Sequence, residues 1–451
     1  MSVFRIRLML ALSALALPAA ASHAAPPTVD GCFEDWNRDH IVAVDPAGDA
    51  SGAFDVTTLS AQFVGEVLHL RFDTGRTLNI QSGPDGDGTL VLEFTSGNVA
   101  LRINTRERSV NRLTGSQQVW QDVGWHAVGY WSAPTYANDE FEVRVNLAAA
   151  GFAAGDRIAL TLAGSDSLAN PVALRYAGPA EPLPPIDFEL QGPADGQLRV
   201  VSLNTLRNGI VAPDRSAAVL RLLAASDPDI VLLQEEYNTS AADVEAAIEG
   251  KFDADWNIVK VRDNVIASRL PLTKLQNFDD SYAAALVADA TGQMRLVLSI
   301  HPKCCGHIGS EEDKRRIDQA LAMARTVELA RQRFGADLPV LIAGDWNLVG
   351  SRSPLDLLTD PTGPNLRELH ARHAGSAETY TWFAPDSSFG PGKLDLATVD
   401  EKSAEHSRAV LLDSRTISPA SAAALGLKPT DSAASDHLLM VIDFGRTTPA
   451  R

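Results

Sequence analysis

Two different patterns of apolar and polar positions follow one another along the chain. Across residues 26–177, short segments alternate between apolar and polar residues or are rich in β-branched and aromatic ones, with Gly, Asn, Asp and Pro between them. No long helical period intervenes, so this part is predicted to be an all-β sandwich of antiparallel strands. Across residues 198–446, apolar runs alternate with helical segments. That pattern is typical of an α/β or layered α+β domain.

The stretch between the two patterns, residues 178–197, is rich in proline. It is predicted to be a stiff, extended linker that marks a domain boundary. A chain of 451 residues exceeds the usual size of a single domain, which agrees with this division.

The N-terminus has the pattern of a secretory signal peptide. Residues 1–24 contain a short basic start, an apolar core at residues 8–17 and small residues up to Ala24. The apolar core is shorter than the roughly 20 residues that span a bilayer, and no later run reaches that length. We therefore expect a secreted or periplasmic protein without a stable membrane span.

Several predicted strands end in polar residues. The apolar run at residues 338–343 is followed by Gly-Asp-Trp-Asn, which places Asp345 and Asn347 at the carboxyl edge of a sheet, where open α/β folds bind ligands. A solvated turn that closes the strand would have the same composition. Other strand ends and borders carry Asn204, Glu235, His301, Asp395, Asp436 and His437. Together, these carboxylates, amides and histidines suit one hard metal ion, a bound phosphate and an activated water.

The charge of the chain narrows the range of partners. A formal net charge of −18 argues against a general electrostatic grip on nucleic acid, although a local basic groove stays open. The same charge suits the binding of divalent cations by clustered carboxylates.

The chain contains three cysteines, and an exported protein meets oxidising conditions. Cys304 and Cys305 could form a disulfide with each other, or Cys32 could pair with either of them. An odd count leaves at least one thiol over.

The C-terminal part contains a series of short motifs, in the order LNT, LLQEE, IASRLPL, SIHPK, GDWN, KLDLATV and SDH. This series resembles the endonuclease/exonuclease/phosphatase superfamily, which includes DNase I, and the resemblance covers nearly all of residues 198–444. It implies a DNase I-like, four-layer α/β/β/α sandwich that hydrolyses phosphoester bonds with a metal ion. Mg²⁺ is the expected ion, with Mn²⁺ or Ca²⁺ as alternatives.

The resemblance also implies roles for individual residues. The metal ligands would be Asn204, Glu235 and Asp436. The catalytic groups would be His301, Asp345, Asn347, Asp395 and His437. Of these, Asp345 would align or deprotonate the attacking water, Asn347 would bind a phosphate oxygen, and His437, paired with Asp395, would act as general base or phosphate partner. Asn264 and Lys303 would contact substrate.

The sequence departs from the family pattern at several positions. Trp346 stands where Phe is common, and Leu396 stands where an aromatic residue is common. Asp263 replaces a small residue before Asn264, which leaves the role of Asn264 open. The segment 301–316 has no equivalent in the best-known members. It could shape substrate choice through its lysine, cysteines and basic pair, or it could be a structural disulfide turn before a helix.

The N-terminal part carries VDGCFEDW at residues 29–36, followed by a β-rich segment at residues 44–75. These segments resemble the start of family 9 carbohydrate-binding and DOMON-like modules, which implies a jelly-roll-like accessory module that binds a glycan or calcium. Acidic residues that could be calcium ligands, or turn residues between strands, are Asp45, Asp49, Asp55, Asp85 and Asp87. Aromatic residues that could stack on a sugar, or form the core of the sandwich, are Trp120, Trp125, Tyr130 and Trp131.

These observations predict a secreted, Mg²⁺-dependent phosphoesterase with nuclease-like activity as the first expectation. A sphingomyelinase- or inositol-phosphatase-like enzyme is the alternative within the same chemistry. A glycan- or surface-binding protein with a catalytically silent nuclease-like domain is the alternative from another class. Because no motif position carries an inert residue, the sequence favours an enzyme.

Overall fold

The computed structural model describes residues 27–84, 88–114, 119–178 and 187–446. The predicted signal peptide, the calcium candidates Asp85 and Asp87, and residues 179–186 of the predicted linker lie outside these residues. In the part of the chain that is described, no helix has the length and apolarity that crossing a bilayer requires. The structure is mostly β-sheet, arranged in several sheets.

The N-terminal half, defined here as the described residues up to 178, consists of two antiparallel sheets. Its strands are β1 (Ile41–Val44), β2 (Thr58–Val64), β3 (Val67–Leu78), β4 (Leu90–Ser96), β5 (Val99–Asn104), β6 (Ser109–Leu113), β7 (Trp120–Asp122), β8 (Trp131–Ala133), β9 (Asn138–Asn146), β10 (Arg157–Gly164) and β11 (Val172–Arg175). One sheet has the order β1-β2-β3-β9-β8, and the other has the order β11-β10-β4-β5-β6-β7.

One apolar cluster joins these two sheets. It contains Phe72 and Phe141 from the first sheet, and Leu92 and Leu160 from the second. Along β3 and β10, buried and partly exposed positions alternate, because each strand turns one face to the shared core and the other towards solvent. The alternating sequence pattern therefore has a direct structural cause.

The C-terminal half, defined here as residues 187–446, contains two further sheets and most of the helices. Its strands are β12 (Gln197–Asn204), β13 (Ile230–Gln234), β14 (Asn257–Val261), β15 (Asn264–Ser268), β16 (Leu272–Lys274), β17 (Tyr282–Ala288), β18 (Met294–Ile300), β19 (Val340–Asp345), β20 (Leu366–Leu369), β21 (Arg372–His373), β22 (Asp395–Asp400), β23 (Arg408–Leu412) and β24 (Leu439–Gly445). Its α-helices are α1 (Ser216–Ala224), α2 (Ala241–Phe252), α3 (Glu311–Phe334), α4 (Ser353–Thr359), α5 (Glu401–Ala404) and α6 (Pro419–Ala424). The sheet orders are β14-β15-β13-β12-β24-β23-β21 and β16-β17-β18-β19-β22-β20.

Three apolar clusters hold the C-terminal half together. The first lies between residues of the two sheets, such as Val200 of β12 and Leu341 of β19. The second joins the seven-stranded sheet to α1 and α2, and the third joins the six-stranded sheet to α3 and α4. Strands such as β13 and β19 are therefore buried along their whole length, which explains why their sequences are continuous apolar runs.

The two halves are in direct contact. The Thr135 hydroxyl donates to the carbonyl oxygen of Leu348 at 2.9 Å, and Arg144 of β9 forms an ion pair with Glu378. The described part of the predicted linker also packs on the C-terminal half, where the Phe188 amide donates to the Ser421 hydroxyl at 2.8 Å. The N-terminal half is thus held against the C-terminal half rather than tethered at a distance from it.

We predict that one histidine of the N-terminal half makes stability depend on pH. His69 of β3 is the cross-strand partner of Arg144. Burial and the Arg144 charge lower the pKa of His69 from 6.5 to about 4. Because the folded state resists protonation at this site, the free energy of unfolding should fall, by up to about 3 kcal/mol, as the pH drops from about 6.5 to about 4.

Denaturant titrations of wild type and His69→Gln across this pH range would measure the effect. The wild type should lose stability relative to His69→Gln as the pH falls. A His126→Gln variant, which replaces an exposed histidine, should follow the wild type. A constant difference between wild type and His69→Gln would refute the assignment.

Candidate active site

A cleft of about 510 Å³ collects most of the residues that the sequence singles out. The predicted residues that line it are Glu235, His301, Asp345, Asn347, Asp436 and His437. Lys303, Cys304 and Cys305 line it as well. Asn204 and Asp395 lie behind this lining and bond to it, whereas Asn264 is fully buried and is not part of the cleft wall.

The carboxylate of Asp345 is the centre of the site. Asn204 Nδ2 donates to Asp345 Oδ2 at 3.1 Å and to Glu235 Oε1 at 3.3 Å. Asn347 donates to the same carboxylate from its backbone amide at 2.9 Å and from its side chain at 3.1 Å. Asn204 ends β12, Glu235 follows β13, and Asp345 ends β19, so this network joins the edges of both C-terminal sheets.

The backbone of the site is strained at two of these residues. Glu235 has a φ of 64° and Asn347 a φ of 48°, which are left-handed conformations that cost about 1–3 kcal/mol for a residue other than glycine. The surroundings fix Glu235, because Arg207 N donates to its carboxylate at 3.0 Å and Asn208 N donates to its carbonyl oxygen at 2.9 Å. The strand therefore ends before Glu235, and the turn directs the Glu235 carboxylate to the cleft.

Two histidines face Asp345, and each is held by its own carboxylate. His437 Nδ1 lies 2.8 Å from Asp395 Oδ2, and its Nε2 lies 3.7 Å from Asp345 Oδ2. His301 Nδ1 lies 2.5 Å from Asp263 Oδ2, and its Nε2 lies 3.5 Å from the same Asp345 oxygen. A carboxylate at Nδ1 fixes the orientation of each ring and leaves Nε2 facing the cleft centre.

Asp263 is a site residue that sequence reasoning missed. Its unusual position before Asn264 was the available signal, because a carboxylate stands there in place of a small residue. Its side chain is buried and reaches His301 from the start of β15. Asp263, which left the role of Asn264 open in the sequence, is thus the residue that positions His301.

The carboxylates raise the pKa of both histidines and so favour their protonated forms. Burial lowers the pKa of His437, but Asp395 and Asp345 outweigh it and raise the pKa to about 10. The pKa of His301 is also raised, since Asp263 and Asp345 outweigh its burial. Burial raises the pKa of Asp345, against the opposing effect of the two histidines. Two histidines beside one buried carboxylate can bind a phosphate group in their protonated forms and move protons near it.

A short segment around Thr381 braces the strands that carry these groups. The Thr381 hydroxyl accepts from the backbone amides of Leu394 and Asp395 at 2.9 and 2.8 Å. Trp382 Nε1 donates to Asp436 Oδ2 at 2.9 Å. Nothing in the one-dimensional pattern marks Thr381 or Trp382, because they reach the site only through tertiary contact.

The hydroxyl of Ser435 ties the Ser-Asp-His motif to the first strand of the C-terminal half. It donates to the Asn204 carbonyl oxygen at 2.7 Å and accepts from the His437 amide at 3.1 Å. The Asn204 and His437 positions are thereby fixed relative to one another.

The oxygen donors at this site suit Mg²⁺, which binds through one or two carboxylates and keeps several waters. Glu235 supplies a partly exposed carboxylate, and Asp436 Oδ1 is buried with no hydrogen-bond partner among the described residues. Asn204 points its amide nitrogen at Glu235 and its oxygen at Leu206 N, so it would have to rotate to ligate an ion. The arrangement fits an open, water-rich metal site and not a closed cage.

The structure shows no disulfide bond between Cys304 and Cys305. Their sulfur atoms lie 2.8 Å apart as free thiols, whereas a disulfide bond measures about 2.05 Å, and Cys32 is free as well. Arg316 stabilises the turn instead, by donating to the carbonyl oxygens of Lys303 and Cys305 at 2.7 Å each. Of the two adjacent arginines, Arg316 is therefore structural, and Arg315 lines the cleft.

Two of the aspartates considered as calcium ligands lie close together in the N-terminal half. Carboxylate oxygens of Asp45, Asp49 and Asp166 lie within 4.8 Å of one another, and this is the group of metal-ligand type found among the described residues. Asp166 was not selected from the sequence. Asp55 accepts from the Gly48 amide at 2.7 Å, as a turn residue does.

The aromatic residues of the N-terminal half are mostly part of its packing. Trp125 and Tyr130 belong to the apolar cluster between the two sheets, which confirms the core interpretation for these two. Trp131 is buried in a separate small cluster with Val29 and Ala133, against Tyr380. Trp120 is 36% exposed and lies under Arg102.

The comparisons with known proteins concern the C-terminal half above all. A model of the Endonuclease/Exonuclease/phosphatase family matches residues 201–437. No protein of curated function matches the sequence. The solved structures that resemble it include truncated TDP2 from Caenorhabditis elegans, with 15% identity and a TM-score of 0.39 over 55% of this chain and 97% of that one.

Two further structures are similar to the same extent. The human nocturnin catalytic domain has 17% identity and a TM-score of 0.38, over 56% of this chain and 94% of its own. An endonuclease/exonuclease/phosphatase family protein from Bacteroides thetaiotaomicron has 18% identity and a TM-score of 0.39, over 56% of this chain and 98% of its own.

We predict that each histidine depends on its own carboxylate. In Asp395→Asn, the pKa of His437 should fall from about 10 by about two pH units or more, because the neutral amide no longer stabilises the imidazolium. Asp263→Asn should lower the pKa of His301 and leave that of His437 nearly unchanged.

Histidine side-chain NMR titration of the protein without added metal would give both values. The two variants serve as controls for one another. If Asp395→Asn left the His437 titration in place, the pairing would not be the source of the raised pKa.

Proposed function

This chain belongs to the Endonuclease/Exonuclease/phosphatase family, and we propose that it is a divalent-metal-dependent hydrolase of phosphodiester or phosphomonoester bonds. The observation that carries the proposal is the convergence of two histidine Nε2 atoms on Asp345 Oδ2 beside Glu235, in one cleft. A buried carboxylate flanked by two histidines has the donors and the proton acceptor that in-line attack of water on phosphorus requires.

The residues would divide the reaction between them. Asp345, whose pKa is raised by burial, would orient the water and accept its proton as the new P–O bond forms. The Asn347 amide and the two imidazolium groups would bind the phosphate oxygens on which negative charge develops. As the bond to the leaving oxygen breaks, a histidine Nε2 would give that oxygen a proton.

The metal site would lie at Glu235, with Asp436 and a rotated Asn204 as further oxygen donors. Mg²⁺ is the proposed ion, and Mn²⁺ or Ca²⁺ are the alternatives with the same preference for oxygen. When bound there, the ion supplies positive charge next to the phosphate oxygens.

The proposal extends to architecture and location. The three apolar clusters of the C-terminal half are those that an α/β/β/α four-layer sandwich would have, and the shared core of the N-terminal sheets suits a sandwich module. The pattern of residues 1–24 supports secretion or a periplasmic location.

The proposed chemistry does not by itself identify the substrate. Nuclease-like activity, sphingomyelinase-like activity and inositol-phosphatase-like activity all use the same attack on phosphorus. A screen of DNA, RNA, sphingomyelin and inositol phosphates with the purified protein would separate them. A silent, glycan-binding protein would bind polysaccharide and turn over none of these.

Calcium is a proposed second ligand, at Asp45, Asp49 and Asp166. Asp45 is 7% exposed, and its Oδ2 has no hydrogen-bond partner among the described residues. A buried, unpaired carboxylate oxygen next to two further carboxylates is costly unless a cation or a proton offsets the charge. Burial and the nearby charge of Asp49 raise the pKa of Asp45, which agrees with this crowding of carboxylates.

We predict that hydrolysis requires both the metal and the cleft residues. With Mg²⁺, the protein should release 4-nitrophenolate from bis(4-nitrophenyl) phosphate, and EDTA should abolish the release. Glu235→Gln and His437→Ala should each lower kcat/KM by a factor of about 10² to 10³. A Glu245→Gln variant, which changes an exposed glutamate of α2, should retain wild-type activity. Equal rates in all these samples would exclude a metal-dependent hydrolase.

Calcium should stabilise the N-terminal half through Asp45. We expect millimolar Ca²⁺ to raise the thermal midpoint of the wild type, because an ion that binds only the folded state shifts unfolding by mass action. Asp45→Asn should remove this rise, and Asp122→Asn, which alters an exposed strand residue, should keep it. Thermal scans with Ca²⁺ and with EDTA provide the measurement, and an equal rise in Asp45→Asn would rule out this site.

A further inference from the structure

The candidate active-site cleft has a wall that the C-terminal half does not supply. Ile80, Gln81, Ser82 and Thr135 of the N-terminal half line the same cleft as His437. These residues follow β3 and β8, which lie in one sheet of the N-terminal half. The cleft is therefore completed by both halves of the chain.

Asn79 joins this wall to two loops of the C-terminal half. Its Oδ1 accepts from the Ile308 amide at 2.8 Å, and its Nδ2 donates to the carbonyl oxygens of Val349 and Gly350 at 2.9 and 3.2 Å. Asn79 is buried, so these bonds are protected from water. The loops that follow His301 and Asn347 are thus anchored on the N-terminal half.

A second contact fixes an aromatic side chain at the cleft. Three consecutive residues, Ser388, Phe389 and Gly390, are each held by the N-terminal half. Trp125 Nε1 donates to the Ser388 carbonyl oxygen at 2.8 Å, and Gly390 N donates to Gln81 Oε1 at 2.9 Å. The Arg108 guanidinium lies 4.1 Å from the centre of the Phe389 ring.

Phe389 lines the cleft and is 42% exposed. A large apolar side chain in contact with water, and held by specific contacts on both sides, suits a role in binding. Trp382, Tyr237 and Ile80 add further apolar surface to the same cleft.

The cationic groups of the cleft are too few for a polyanion: beside Lys303 and the two histidines, its lining contains two arginines. Both arginines are already paired, Arg262 with Asp280 at 3.4 Å and Arg315 with Asp279. Long nucleic acids need several cations to neutralise successive phosphates, and the whole chain carries a net charge of −18. A volume of about 510 Å³ instead lies within the usual range for small-molecule sites.

We propose that the N-terminal half completes the substrate site, and that its wall and Phe389 form a subsite for an apolar or aromatic group attached to the phosphate. The substrate class is then a small organic phosphoester and not duplex nucleic acid. This inference rests on the proposed function, since the histidines and Asp345 define where the phosphate lies.

The affinities of two phosphonates test the subsite without turnover. Phenylphosphonate and methylphosphonate carry the same charged group and differ in the attached apolar group. Calorimetric titration of the full chain with Mg²⁺ should show tighter binding of phenylphosphonate, on the order of tenfold. Phe389→Ala should bring the two affinities close together. Phe334→Ala removes another exposed phenylalanine that lies against an arginine, and it should preserve the preference.

The role of the N-terminal half is tested at Arg108. Arg108→Ala should reduce the preference for phenylphosphonate, because Phe389 loses its cationic partner. The double variant with Phe389→Ala should show no further loss, since the arginine acts through the ring. Arg102→Ala removes a matched arginine, over Trp120 outside the cleft, and should have no effect. Circular dichroism would show that every variant is folded.

The outcomes separate this inference from the proposed function. Equal affinities in the wild type, no binding of either phosphonate, or an unchanged preference in both Phe389→Ala and Arg108→Ala would overturn the subsite. Hydrolysis of bis(4-nitrophenyl) phosphate, measured in parallel, would still stand or fall by itself. A preserved phenyl preference without any hydrolysis would support the subsite and contradict the proposed function.

Discussion

The structure depends on one buried carboxylate, that of Asp345, and on the groups that surround it. Two amide side chains donate to it. Two histidines also face it, one bonded to Asp395 and the other to Asp263. Burial alone would make such a charge costly, and the neighbouring donors offset that cost. The same donors are then in place to receive a phosphate group and an activated water.

This requirement explains the geometry around the site. Asn204, Glu235 and Asp345 lie at the ends of different strands of two sheets, and they meet only because those sheets pack through a shared apolar cluster. The left-handed conformations of Glu235 and Asn347 are tolerated because hydrogen bonds on both sides fix them. The N-terminal half adds a further constraint, since Asn79 anchors the loops next to the histidine and the amide.

Much of the candidate site could be predicted from the sequence. The residue roles that could not be predicted were hidden for physical reasons. Polar residues at the ends of apolar runs are conspicuous, so Glu235, Asp345 and His437 could be found without a structure. Asp263 was missed because its function depends on His301, which is far away in sequence. The structural role of Arg316, which holds the loop of Cys304 and Cys305 by its carbonyl oxygens, could not be predicted because these bonds form only in the folded chain.

The sequence by itself determined the family, the two patterns of sheet and the inventory of reactive groups, because periodicity and strand-end chemistry are local properties. Only the tertiary structure decided which carboxylate serves which histidine. It also decided that Phe389 stands at the cleft between the halves, where Arg108 lies over its ring and Gln81 accepts from the amide of the next residue, Gly390. The histidine pairs join residues 38 and 42 positions apart, and Gln81 and Gly390 are 309 positions apart. No local pattern records these contacts, because they form only when separate sheets pack together.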